Sequence, residues 1–130
     1  MVDTNVFIYD LDKHSLHYQI ASSFLSDSHY QLFTTSKCVS EYFAVTSKLR
    51  VHFDLVMSNY DKFKKYTQIL YPNPESLYFF ESLIEKYQPV GNKIYDIEIV
   101  SVMLANQLVE IATFNNKDFA TIKEISLLKL

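Results

Sequence analysis

Leu108-Val109-Glu110-Ile111-Ala112-Thr113-Phe114-Asn115-Asn116-Lys117-Asp118-Phe119 is the stretch on which the fold turns. Leu108 or Val109 to Ala112 reads as a buried strand that runs into polar residues and then an acid, Asp118. The same order recurs near the start, in Val2-Asp3-Thr4-Asn5-Val6-Phe7-Ile8, where Met1 to Asp3 reads as the short end of a strand. In an α/β protein, ligands bind in the crevice outside the carboxyl ends of the parallel strands. Asp3 and Asp118 are therefore expected at such a crevice. Two more acids stand where the chain changes element. Glu41 lies near the start of the amphipathic segment Ser36 to Leu49, and Asp96 opens another after Gly91-Asn92-Lys93-Ile94-Tyr95. Several carboxylates in one crevice repel each other unless a hard divalent cation neutralises them. The pattern points to a magnesium (or manganese) site and to phosphoryl chemistry.

The segments between these acids read mainly as helices. Asp3 or Thr4 can cap a short helix carrying Val6, Phe7 and Tyr9. Leu16, Ile20 and Phe24 recur every four residues, as on one helix face. Tyr30 to Thr34 is a β-prone run, and Thr35 or Ser36 caps a helix striped by Val39, Phe43 and Thr46 or Ser47. Phe53, Val56, Tyr60 and Phe63 keep helical spacing in a hairpin expected over Val51 to Lys65. Tyr66 to Tyr71 reads as a strand closed by Pro72-Asn73-Pro74. Leu77, Phe80, Ile84 and Tyr87 mark a helix that Pro89 and Gly91 end, and Ile97, Ser101, Leu104 and Leu108 mark the next. Ile125 to Leu130 reads as an edge strand. Strands separated by helices imply parallel pairing with right-handed crossovers. The expected fold is a three-layer α/β sandwich with a central, mainly parallel sheet.

At 130 residues the chain makes one domain, residues 1–130, with room for a core that needs no disulfide. It holds ten Tyr, ten Phe and no Trp, so aromatic rings are expected to fill much of that core. Cys38 is the single cysteine, which excludes disulfide frameworks and cysteine zinc sites and leaves it as a small semi-buried filler. No run is long enough to span a membrane and no basic-then-apolar leader is visible, so the chain reads as cytoplasmic. The net charge of −3 does not exclude a nucleic acid. With the four site acids set aside, eleven acids face twelve Lys and Arg, and phosphate could be held locally at a metal.

Val-Asp-Thr-Asn at 2–5, Ser-Glu-Tyr-Phe at 40–43, Gly-Asn-Lys-Ile-Tyr-Asp at 91–96 and Thr-x-Asn-x-x-Asp-Phe at 113–119 together resemble the PIN-domain ribonucleases. The likeness is greatest to the bacterial VapC-type toxins. It runs from Met1 to about Phe119 with all four motifs in family order. The resemblance implies a PIN-like sandwich and a metal-dependent endoribonuclease, the toxin of a toxin–antitoxin pair. It implies Asp3, Glu41, Asp96 and Asp118 as catalytic and metal-holding acids, with Asp3 and Asp96 as direct ligands. Asn5 would orient Asp3 or its loop, Thr113 and Asn115 would position water or substrate, and Lys93 and Lys117 could hold phosphates. The implied partners are RNA, a cognate antitoxin that blocks the site, and a second copy of the chain. Two departures stand out. Glu98 takes a place where the family usually has a small residue, and Asn115 takes one where some members carry the fourth acid. Glu98 and Asp96 diverge by about 200° on a helix, so only one can face the site.

Each site residue also has a plainer reading. Asp3 could be a helix cap, Glu41 a solvated first-turn acid favoured by the helix dipole, and Lys93 and Lys117 surface lysines. His14 and His17 have metal-ligand spacing but no third ligand, and read as solvated helix residues. Lys62, Lys64 and Lys65 read as a solvated basic face or an RNA track. A haloacid-dehalogenase-like phosphatase would need an Asp in place of Asn5 and a late Gly-Asp element, and has neither. The remaining alternatives are an inactive PIN module that binds RNA or serves assembly, and a PIN nuclease of RNA processing.

Overall fold

In the computed structural model, which describes residues 1–130, seven helices surround four short strands. The helices are α1 (Thr4–Leu11), α2 (Tyr18–Leu25), α3 (Ser36–Lys48), α4 (Phe53–Tyr66), α5 (Pro74–Tyr87), α6 (Lys93–Ala105) and α7 (Asn116–Phe119). The strands are β1 (Leu32–Thr35), β2 (Thr67–Leu70), β3 (Glu110–Ala112) and β4 (Ser126–Leu128). β1 pairs in parallel with β2, and β3 in parallel with β4.

The segment Met1–Asp3 joins these two pairs into one sheet. Val2 bridges in parallel to Ala112; Ala112 N–H donates to Met1 O at 2.8 Å and Asp3 N–H to Ala112 O at 3.0 Å. On its other side, Val2 N–H donates to Phe33 O at 2.7 Å and the Thr34 hydroxyl to Val2 O at 3.0 Å. The order is β4, β3, Met1–Asp3, β1, β2, so the first residues occupy the middle. Two apolar cores flank this sheet. One joins Leu83, Val100 and Met103 to Ile111 and Phe119; the other joins Val6, Phe7, Val56 and Phe63 to Val2 and Leu32. Helix α3 feeds both, through Cys38 and Tyr42. This is the expected three-layer sandwich.

Local chemistry sets the element ends. Asp3 caps α1, its side chain accepting from Thr4 N–H. The Thr35 hydroxyl accepts from Cys38 N–H at 3.1 Å and caps α3. Asn73 and Ser76 form a reciprocal capping box around Pro74 at the start of α5, and Gln88 ends that helix in the left-handed region.

Several expected faces are rotated or trimmed. The buried stripe of α3 is Cys38, Tyr42 and Thr46, about 100° from the Val39–Phe43 stripe. Leu16 is 96 % exposed and precedes α2. There Asp12 and Ser15 side chains accept from His14 and His17 N–H, a local pattern that competes with helix. Tyr66 closes α4 instead of opening β2, and of the expected hairpin over 51–65 only residues 53–65 are helical, all in the one helix α4, which follows α3. Leu108 N–H closes α6 on Met103 O, so β3 begins at Glu110. Cys38 is fully buried, not half-buried.

One buried polar network was not foreseen. Tyr42 OH donates to Asn59 Oδ1 at 3.0 Å, and Asn59 Nδ2 donates to Asp10 Oδ2 at 3.1 Å. Lys62 Nζ meets the same oxygen at 3.1 Å, so this lysine belongs to an ion pair and not to a free basic face. The network ties α1, α3 and α4 together, and burial with the Asp10 charge pushes the Tyr42 hydroxyl pKa upward.

The central segment yields a stability prediction. Val2→Pro removes the N–H that meets Phe33 O and leaves that carbonyl unpaired inside the sheet, a loss on the order of 3 kcal/mol. Thermal melting should show a markedly lower midpoint. An unchanged midpoint would show that the two strand pairs hold together without this ladder.

Candidate active site

All four acids singled out in the sequence reach one cavity of about 780 Å³ at the carboxyl ends of the central strands. Asp3 leaves the sheet directly after Val2, and Glu41 projects from α3, which begins where β1 ends. Asp96 lies in the first turn of α6, and Asp118 in α7, just after β3. Three helix N-terminal regions thus border the crevice, and their partial positive charge favours anions there.

Asp3 is the most constrained of the four and is 6 % exposed. Its Oδ1 accepts from Thr4 N–H at 2.7 Å. Its Oδ2 accepts from the Thr113 hydroxyl at 2.6 Å and from Asn5 Nδ2 at 2.6 Å. Asn5 Nδ2 also donates to Thr113 Oγ1 at 2.9 Å, and its Oδ1 accepts from Phe114 N–H at 3.0 Å. Asn5 is thus hydrogen-bonded both to Asp3 and to the loop after β3. Thr113 is spent on holding Asp3 and Asn115, whose N–H donates to its hydroxyl at 3.0 Å. Glu41 is exposed, and its Oε2 accepts from the Thr4 hydroxyl at 2.9 Å.

Electrostatics set this crevice apart. Burial, with the charges of Glu41 and Asp118, raises the Asp3 pKa to about 6 against the hydrogen bonds that lower it. Asp96 is half-buried, and its pKa is likewise raised to about 6. Desolvation is the main cause, followed by the charges of Asp118, Asp3 and Glu41, with Lys93 opposing. No hydrogen bond relieves Asp96. No three of these carboxylates stand close enough together to hold a metal ion among them. Magnesium needs no such cage, since it keeps several of its waters and takes one or two carboxylates. Crowded carboxylates with raised pKa values and an acid without donors suit a hard cation on oxygen ligands.

Lys93 and Asn115 line the cavity, whereas Lys117 is exposed and does not. Glu98, two residues beyond Asp96, stays out of it, as the helical geometry required. His17 is not a solvated helix residue. It precedes α2 and stacks on Phe114 and Tyr9, at 4.5 and 4.8 Å between ring centroids. Lys37, Tyr9 and Tyr95 also line the cavity and escaped the sequence reading. Only the position of Lys37 in the first turn of α3, one turn before Glu41, could have signalled it.

Comparison with known proteins agrees with this geometry. The PIN domain family model matches residues 1–125. VapBC2 of Rickettsia felis, solved bound to a DNA fragment from its promoter, superposes with a TM-score of 0.75 at 22 % identity. That match covers 100 % of this chain and 97 % of the other. VapC20 of Mycobacterium tuberculosis, a sarcin–ricin-loop-cleaving toxin, gives 0.72 at 12 % identity and covers 93 % of each chain. VapBC-1 of nontypeable Haemophilus influenzae gives 0.68 at 19 % identity, covering 99 % of this chain and 96 % of that one. A sequence search of curated proteins found no match. The chain belongs to the PIN domain family.

The raised pKa values carry a signed pH dependence. Asp3 and Asp96 bind protons more tightly folded than unfolded, so ionising them costs stability as pH rises from about 3.8 through about 6. For Asp3 the full cost is on the order of 3 kcal/mol. In chelator, the melting temperature should rise as pH is lowered from about 7.5 to about 5.5, and millimolar magnesium should flatten that slope. A slope that magnesium leaves untouched would separate these carboxylates from cation binding.

Proposed function

We propose that this PIN domain is a metal-dependent endoribonuclease and the toxin component of a toxin–antitoxin pair. The observation that carries the reading is the gathering of Asp3, Glu41, Asp96 and Asp118 at one cavity, with Asp3 and Asp96 both raised to about 6. A nucleic-acid phosphate could not approach four such charges without a counterion. Asp3 and Asp96 would hold magnesium or manganese directly, with Glu41 and Asp118 completing the cluster or orienting water. When bound, the metal supplies a water of lowered pKa and charge stabilisation at the phosphoryl oxygens.

The chain's own residues prepare that chemistry. The Thr113 hydroxyl and the Asn5 amide fix the Asp3 Oδ2 orientation, and Thr4 fixes Glu41. Lys93, at the cavity wall, is placed to hold a flanking phosphate, and Asn115 to donate a hydrogen bond to it. Lys117 is assigned at most a more distant phosphate, since it lies off the cavity. The sarcin–ricin-loop-cleaving relative supports RNA as the substrate class, and the toxin–antitoxin relatives support an antitoxin partner. The exposed Phe53, Leu55 and Tyr66 of α4 support that helix as the antitoxin contact. Leu77 and Tyr78, exposed on α5, are apolar surface for a second copy of the chain. No helix is long and apolar enough to cross a membrane.

Asp96→Asn tests the assignment. The amide keeps the size but loses the charge that would hold a cation. Magnesium-dependent cleavage of RNA should fall by more than a hundredfold, on the order of a lost metal ligand. Melting in chelator should stay equal or rise, because one repelling charge is gone. Full activity would remove Asp96 from the site. Lost activity with a collapsed melting temperature would make it a structural residue. RNA binding indifferent to both chelator and this substitution would favour an inactive, RNA-binding module.

A further inference from the structure

Tyr95 and Lys37 form a pair on the cavity wall that neither the acid cluster nor the core explains. Tyr95 lies beside Asp96 in the first turn of α6 and is 49 % exposed. Its ring stacks on no other aromatic side chain and belongs to neither apolar core. Its neighbour is a cation: Lys37 Nζ, from the first turn of α3, sits 3.6 Å from the ring centroid. Lys37 is also half-buried, borders the same cavity as four carboxylates, and yet forms an ion pair with none. A half-buried cation that pairs with no nearby acid and lies on a π face is held in place by the ring. It fixes the ring in turn, and leaves much of the ring open to solvent.

We infer that Lys37 and Tyr95 are a nucleotide clamp that selects unpaired RNA. The inference rests on the nuclease reading and specifies its substrate. A base flanking the scissile phosphodiester stacks on the open part of the Tyr95 ring. The Lys37 ammonium takes the adjoining phosphate. An aromatic platform beside a cation is the combination that binds single strands, since every base has a π face and every linkage a charge. A base locked in a duplex cannot reach it, so a paired substrate is rejected. Tyr95 and Lys37 thus set specificity, while the four acids carry the chemistry.

The test uses the full chain with magnesium and a mixed-sequence single-stranded oligoribonucleotide. Its cut site is mapped, and it is then remade with an abasic residue at each flanking position and as a duplex. Tyr95→Leu should raise KM about tenfold with little change in kcat, and Tyr95→Phe should restore the parent value. The parent should lose the same factor when one flanking base is removed, whereas Tyr95→Leu should lose nothing further. Lys37→Met should weaken intact and abasic substrates alike and reduce the salt dependence of binding. Equal abasic losses in parent and Tyr95→Leu, or a parent KM in Tyr95→Leu, would overturn the clamp. So would a Tyr95→Leu defect that follows a change in oligomeric state or melting temperature and not the base. Fluorescence anisotropy on the same oligonucleotides separates the two readings. Base-dependent binding through Tyr95 without cleavage keeps the clamp and defeats the nuclease, and absence of both binding and cleavage defeats both.

Discussion

A desolvated carboxylate at the junction of two half-sheets is the constraint that organises this molecule. Asp3 sits where the chain leaves the middle of the sheet, its N–H bonded to Ala112 O and its oxygens bonded to Thr4, Asn5 and Thr113. Every one of those partners is also a fold element: the first turn of α1 and the residues following β3. Burying an ionised carboxylate is expensive without such donors. Three donors lower the cost, but the raised pKa shows that they do not cancel it. The structure therefore keeps an only partly relieved negative charge at the point where its two halves meet. Helix cap and site acid are one role here, because the same side chain starts α1 and opens into the cavity.

That double role explains what the sequence revealed and what it hid. Asp3, Glu41, Asp96 and Asp118 were legible because each interrupts an apolar pattern at an element boundary, and strand ends gather at one edge of a parallel sheet. Asn5 and Thr113 stood out in the sequence beside the acids, but their shared contact with Asp3 did not. A threonine two residues before an asparagine says nothing about which acid its hydroxyl will face. Lys37 and Tyr95 were hidden because their relation crosses 58 residues and depends on how the first turns of α3 and α6 are rotated. The rotation of α3 was itself misread by one position. Val39 and Phe43 are more apolar than Cys38 and Thr46, but Cys38, Tyr42 and Thr46 face the sheet and both cores. In a three-layer fold a helix touched on two sides has no single stripe for periodicity to find.

Helix α6 makes the same point more strongly. Ile97, Ile99, Val100, Ser101, Val102 and Met103 are all buried, so the helix is enclosed on nearly every side. Four-residue spacing located it but could not orient it. Asp10 shows the converse case. It is buried and pairs with Lys62 and Asn59, which in turn accepts from the Tyr42 hydroxyl. Nothing in Tyr-Asp-Leu at 9–11 marks it, because its partners arrive about fifty residues later. It satisfies its charge with a lysine, whereas the cavity acids have no such partner. The contrast separates an acid that stabilises the packing of helices from acids kept unpaired.

The central position of Met1–Asp3 also has a temporal side. Residue 2 cannot take its place between Ala112 and Phe33 until the chain around residue 112 exists, so this segment waits for one made about 110 residues later. Contacts of such long sequence separation are slow to form, because loop closure must precede any gain from them. On the ribosome, α3, α4 and the β1–β2 pair can assemble early, while Asp3 remains without Thr113. The acidic crevice is then assembled in one late step. A nascent chain that has not reached residues 112–118 holds the separate walls of the cavity but not the cavity.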